Sequence, residues 1–439
     1  MGAEGNEAAL KPVATGDGSR AKTDRWWKRL SAGFVTGAAD DDPSGVATYS
    51  QVGAKFGYAL LWIIFLTIPL MIAIQMVSAR VGRVTGRGLA DNLSRNFPRW
   101  AVWSLVTLLI VANVINIGAD IAAMGSAIQL LAGGPAVAYG VALAVISTAL
   151  QVFVPFNKYS PLLKVLALSL FSYVATALVV KVPWGEVFKS TVLPQVQWNA
   201  AYLTAIVAVL GTTISPYLFC WQAAQEVEEI REIDERQPLK HADEQAPDAL
   251  KRIAMDTSVG MIFSNLVAFF MIVTAAAVLH AHGKTDIQST ADAAQALKPA
   301  AGRLAFSLFS LGIVSTGMLA VPVLAGATAF AVAGAMRAPY GLAHKPKDAK
   351  LFYGVLVGVM AGGCALIFTP IDPIKALYWS AVVNGVCAVP LMAAIMIIAA
   401  RKKTMGNHVV SGWLQRFGWL ATAVMGVAAV VMFATLGKS

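Results

Sequence analysis

The chain has 439 residues, 57% of them hydrophobic and only 13% charged, with a formal net charge of +10. That balance excludes an ordinary soluble domain. Its three cysteines, Cys220, Cys364 and Cys387, stand singly in apolar segments and indicate neither a disulfide framework nor a thiolate zinc site.

Residues 1–30 are polar, lack the apolar core of a cleavable signal peptide, and read as a disordered cytoplasmic tail. A bilayer-crossing helix needs roughly 20 apolar residues. Eleven such spans are predicted, at about 31–54, 57–79, 101–131, 135–154, 160–181, 200–227, 253–280, 303–336, 351–368, 374–400 and 413–436. With the N-terminus inside, 26 of the 34 Lys and Arg residues fall in the inner set of alternating loops and eight in the outer set. This positive-inside bias orients the chain in a cytoplasmic (inner) membrane as a multi-pass protein. The basic charge is then topological, and no nucleic-acid partner is expected.

Span one carries Asp40-Asp41-Asp42-Pro43-Ser44-Gly45 inside an apolar segment. Carboxylates at membrane depth are costly and mark function, and the Pro and Gly break the helix beside them. Span three places Asn113, Asn116 and Asp120 on one helix face, which suits either a water-lined path or a buried hydrogen-bond network. Span six has a second break, at Gly211-Thr212-Thr213-Ile214-Ser215-Pro216-Tyr217, where Pro216 removes a backbone donor. Both breaks lie roughly 15–24 Å from either face at 1.5 Å per residue, and the two spans enter from opposite sides. That pattern is expected of five-helix inverted repeats around a central site.

Later signals are structural. Gln222, Gln225, Glu226, Glu228 and Glu229 read as a solvated helix end, with part of an inner exit path as the alternative, and residues 226–251 as an exposed connector. His280 and His282 read as solvated. Gly354, Gly358 and Gly362 form a small-residue ridge suited to close helix packing. The Gly82–Gly88 loop lacks the Lys-Ser/Thr of a phosphate-binding loop.

Gly33-Phe34, Asp42-Pro43 and Ala47-Thr48 resemble the first helix of the Nramp divalent-metal transporters, and Ala79 to Ala90 resembles that family's loop between helices two and three. Gly125-Ser126-Ala127, Pro216 and Asn384-Gly385-Val386 fall where the family has comparable signatures. The resemblance implies an all-α membrane protein with a LeuT-type 5+5 inverted repeat, discontinuous helices one and six, eleven transmembrane helices, and alternating access. The repeats would cover about 31–181 and 200–400, with 401–439 a cytoplasmic loop plus the eleventh helix.

The resemblance also implies that Asp42 is a metal ligand. The family's asparagine three residues on is Gly45 here, its sixth-helix methionine is Ser215, and its histidine is Tyr217. Oxygen donors suit Mg2+ and Mn2+, whereas thioether sulfur suits softer ions, and Mg2+ keeps several waters. The chain therefore resembles the divergent branch of Nramp-related magnesium transporters. The expected site is Asp42 with the carbonyls of Ala39 and Thr212, Ser215 close by, Asp40 and Asp41 acting through water, and room at Gly45. Asn113, Asn116, Asp120, Tyr217 and Asn384 are candidates for a pathway or relay. Proton coupling is expected to be weak, because Ala122 stands where the family has a third-helix glutamate and span nine has no Arg or Lys.

The alternative is a LeuT-fold symporter of a small organic solute with Na+ or H+ near Asp42. A passive channel is open on sequence alone. A membrane enzyme is disfavoured, since no nucleophile–base set can be assembled. No cofactor is expected, and the only partners indicated are the cation and the bilayer, with no obligatory protein partner.

Overall fold

A computed structural model describes residues 36–37, 39–154, 158–159, 161–162, 165, 168, 171–233, 235–287, 290–294, 302, 305–370 and 372–436. The N-terminal tail, the start of span one and much of span five lie outside the described residues. Among the described residues all regular structure is helical. The helices are α1 (Pro43–Phe56), α2 (Leu61–Thr85), α3 (Leu89–Asn96), α4 (Arg99–Ala132), α5 (Ala136–Phe153), α6 (Phe171–Val179) and α7 (Trp184–Val192), followed by α8 (Ala200–Thr213), α9 (Pro216–Glu232), α10 (Ala246–Val278), α11 (Ala305–Ala335), α12 (Lys350–Leu366), α13 (Pro373–Ala399) and α14 (Trp413–Leu436).

Eight of these units are long and apolar enough to cross a membrane, counting α8 and α9 as one broken span. The shorter α12, the half-span α1 and the described part of span five, α6, complete the eleven. Several helices outrun the predicted spans: α2 continues to Thr85, α9 to Glu232, and α10 begins at Ala246. Hydropathy reads only the lipid-crossing part, whereas a helix continues for as long as its polar end finds partners.

Both expected breaks are present. The chain leaves helical geometry at Asp41 and Asp42, and Pro43 opens α1. Pro is well placed there because the first helical N–H has no partner in any case. In span six, α8 ends at Thr213 and Pro216 opens α9. Around these breaks the helices touch through glycines. A Cβ at Gly37 would lie 2.2 Å from Gly260 O, and one at Gly53 would lie 2.5 Å from Ile272 O, so span one is pressed against α10 on both sides of its break. Likewise a Cβ at Gly211 would lie 2.0 Å from Ala381 O and 2.4 Å from Gly385 N, which explains the glycine of the Asn384-Gly385 pair.

The glycine ridge of span nine does not pack as expected. Gly354 and Gly358 face open space, and it is Gly363, one step off the ridge, that meets Ile117 and Gly118 of α4. The four-residue spacing is right for a helix contact, but α12 turns another face to its neighbour.

Candidate metal centre

Asp40, Asp41, Asp42 and Asp120 are all buried, and among the described residues none of them forms an ion pair. Asp42 is the N-cap of α1. Its Oδ1 accepts from Gly45 N at 2.8 Å and from Ser44 Oγ at 2.5 Å. Its Oδ2 accepts from Asn116 Nδ2 at 2.8 Å. One carboxylate thus caps a helix and presents its second oxygen to the core. Asn116 Oδ1 in turn accepts from Ser380 Oγ at 2.6 Å, and Asn116 Nδ2 lies 3.5 Å from Asp120 Oδ2.

The three consecutive aspartates diverge. Asp40 Oδ2 accepts from Ser264 Oγ of α10 at 2.6 Å, while Asp40 Oδ1 and both Asp41 oxygens have no hydrogen-bond partner. Accordingly, among the described residues no three His, Cys, Asp or Glu side chains converge tightly enough to hold a metal unaided. A cation here needs carbonyl, hydroxyl or water oxygens as well.

Those oxygens are at hand. Ala39 O accepts from Tyr217 OH at 3.0 Å, and Thr212 O from Ser215 Oγ at 2.9 Å. A carbonyl has two lone pairs, so each keeps one. Ser215 also donates to Gly211 O at 3.0 Å, and thus bonds back to the helix behind it. Thr212 Oγ1 is buried and unpartnered. A Cβ at Gly45 would lie 3.4 Å from each of Asp40 O, Thr212 Oγ1 and the Tyr49 ring. The small residue therefore leaves a gap edged by two oxygens.

The span-three face divides. Asn116 and Asp120 join the Asp42 network, whereas Asn113 Nδ2 donates to Thr328 Oγ1 at 2.8 Å and to Leu324 O on α11, and fastens helices. Ala122 lines a separate, mostly apolar cavity of about 300 Å³ with Gly118 and Ser126. Asn384 is buried on α13 with both amide atoms unpartnered. Reading the sequence missed Ser44, Tyr49, Ser264 and Ser380. The signals for two of them were faint: Ser264 sits in an apolar run, and Ser380 lies one turn before Asn384.

On one side of this centre lies a cavity of about 310 Å³, lined by Gln51, Lys55, Thr204, Lys375 and Tyr378 among others. On the other side, which carries the basic loops, the sequence expectation is corrected. Gln222, Gln225, Glu226 and Glu228 are buried rather than solvated. Glu226 pairs with Arg252 at 2.6 Å, and Glu229 with Arg252 at 3.1 Å and also with Arg236. Glu228 pairs with Arg231 at 3.0 Å and accepts from Ala343 N. These ion pairs neutralise the buried acids of the helix end and allow it to be buried.

Comparison with known proteins supports the same frame. The family model described as natural resistance-associated macrophage protein-like (Nramp) matches residues 33–435. The divalent metal cation transporter MntH of Pectobacterium carotovorum is 27% identical over 403 residues, covering 90% of this chain and 91% of that protein. MntH of Klebsiella pneumoniae is 26% identical with the same coverage. The crystal structure of the Eremococcus coleocola manganese transporter superposes with a TM-score of 0.72 at 18% identity, covering 93% of this chain and 87% of that one. Mhp1, a nucleobase-cation-symport-1 family transporter, superposes at 0.58 and 14% identity, with 93% of each chain covered. The chain is a multi-pass membrane protein with the LeuT-type fold, and it belongs to the Nramp family of transporters.

Proposed function

We propose that this protein carries a divalent metal cation inward across the cytoplasmic membrane by alternating access, with hard ions such as Mg2+ or Mn2+ preferred. The observation that carries the reading is the set of buried, uncompensated oxygens at two facing helix breaks: Asp41 Oδ1 and Oδ2, Asp40 Oδ1 and Thr212 Oγ1, beside Asp42. Bare buried carboxylates are tolerated only when something positive joins them. Ser215 in place of a methionine removes the soft ligand, and the gap at Gly45 suits a water that stays with the ion. The name of the curated relatives, divalent metal cation transporter, points to the same substrate class.

In this reading the basic loops face the cytoplasm and residues 1–30 form a cytoplasmic tail. Spans one to five and six to ten are the two inverted repeats, and residues 401–439 add a loop and an eleventh helix. The same fold serves organic-solute symport in Mhp1, but the acids at the break disfavour an anionic substrate. Isothermal titration of the purified full chain with Mg2+, Mn2+ and Cd2+, and with amino-acid and nucleobase panels, tests the proposal. Binding of an organic solute with no divalent response would replace it.

A further inference from the structure

Gln222 and Glu226 lie about one turn apart on α9, and both reach α10. Gln222 Nε2 donates to Thr257 Oγ1 at 3.4 Å, and Glu226 Oε2 accepts from Arg252 Nη2 at 2.6 Å. On α10, Thr257 stands about two turns from Ser264, the residue that donates to Asp40. These bonds mark a ladder along α10 from Ser264, beside Asp40, to Arg252 on the basic face, with two turns between Ser264 and Thr257 that no bond spans. Gln222 and Glu226 are each 1% exposed, yet Gln222 Oε1 and Glu226 Oε1 have no donor. Unpaired buried acceptors are costly. Two of them on one line towards Asp40 call for a positive visitor.

We propose that a cation released from Asp42 leaves down this ladder, held in transit by Gln222 Oε1 and the Glu226 carboxylate, and that Arg252 occupies the end of the path in its place until the basic face opens. The proposal rests on the cation-transport reading above. Exchanging the guanidinium for the metal keeps Glu226 neutralised throughout, so the path opens without exposing a bare buried charge. Glu229, itself paired with Arg236, holds Arg252 in the closed position. Glu226 does not touch the ion while it sits at Asp42.

Mn2+ uptake into proteoliposomes, with titration calorimetry on the purified chain, tests this. Glu226→Gln is expected to lower kcat about tenfold or more, with the Kd for Mn2+ unchanged, because only a transit step is lost. Glu226→Gln combined with Arg252→Gln should stay slow, since lock and ligand are both gone. A merely structural ion pair predicts the opposite, recovery in the double variant once no charge is left unpaired, and such recovery overturns the proposal. Arg252→Gln alone keeps the transit carboxylate and should lower the half-saturating internal Mn2+ for efflux several-fold. If Glu226→Gln fails to fold, an unchanged efflux half-saturation in Arg252→Gln overturns the proposal by itself. Asp42→Ala separates the two readings: transport surviving in it removes the cation reading, whereas a dead Asp42→Ala beside a double variant at the wild-type rate removes the ladder alone.

Discussion

Asp42→Asn removes one charge and changes almost no volume, and the structure indicates how the network would respond. The new amide must keep its oxygen where Oδ1 stands, because Ser44 Oγ and Gly45 N both donate there. Its nitrogen then faces Asn116 Nδ2 across 2.8 Å, donor against donor. Asn116 relieves this by turning its amide over, which points its nitrogen at Ser380 Oγ and gives up the 3.5 Å contact of that nitrogen with Asp120 Oδ2. Ser380 can accept, because its own proton already has Leu377 O at 2.7 Å. No cap is lost, so stability should fall by no more than about 1 kcal/mol, the worth of one hydrogen bond. Cation binding is another matter. A unit charge pair at 4 Å is worth about 4 kcal/mol at an effective dielectric of 20, and a divalent ion doubles it to about 8. With the amide oxygen held at the cap and its nitrogen facing the core, at least half of that is lost, about 4 kcal/mol or more, or roughly a thousandfold or more in Kd. Calorimetry with Mn2+ or Mg2+ measures the affinity, and thermal unfolding checks the fold. A well-folded variant whose Kd stays within about tenfold of wild type would show that Asp42 is not the central charge. A large drop in melting temperature would show that the Asn116–Ser380 pair cannot invert.

Ser215→Met places a thioether beside the same carboxylates, and uptake of Cd2+ relative to Mg2+ should rise in competition assays; an unchanged ratio means that position 215 does not face the ion. Divalent uptake should acidify vesicles weakly or not at all, since Ala122 and Tyr217 stand where acid and base would sit. Vesicles loaded with a pH-sensitive dye at zero membrane potential test this, and acidification that tracks metal entry and vanishes in Asp120→Asn would make Asp120 the relay. Gly211→Ala puts a methyl group against the backbone at Ala381 and Gly385, which cannot move aside as a side chain would. It should cost about 1–3 kcal/mol and appear as a lower melting temperature with Kd little changed.

Much of this architecture was legible because the membrane writes its constraints into composition. Eleven apolar segments carried the span count, and two helix-breaking motifs at matching depth pointed to the candidate site. Asp42 could be singled out because a charge in lipid is so costly. What Asp40 and Asp41 do was not legible: three adjacent carboxylates look alike in sequence, and which one finds Ser264 depends on how α10 is seated. Hydroxyl partners such as Ser380 are cheap to bury in any membrane helix, so nothing marks the ones that matter. The error over Glu226 and Glu228 had the opposite cause. A run of acids reads as solvent-facing until its distant partners are brought alongside: Arg252, 26 positions from Glu226, and the backbone of Ala343, 115 from Glu228, whose Arg231 alone is local. Pairing at that distance leaves no local periodicity.

The glycine contacts of span one bear on which parts of the protein can travel together. Gly37 and Gly53 stand on either side of the broken stretch, and each rests on the backbone of α10 rather than on a compliant side chain. A helix with an unwound middle looks like a free joint, but this one meets α10 at backbone distance on both sides of its break. Neither half can swing on the Asp41–Asp42 stretch alone without peeling a seam built at backbone distance. The economical motion is for span one and α10 to move together, so the two helices act as one lever. Asp40, tied to that lever through Ser264, would then shift with it, and the cation's surroundings would change by displacement of the wall as much as by bending of the hinge.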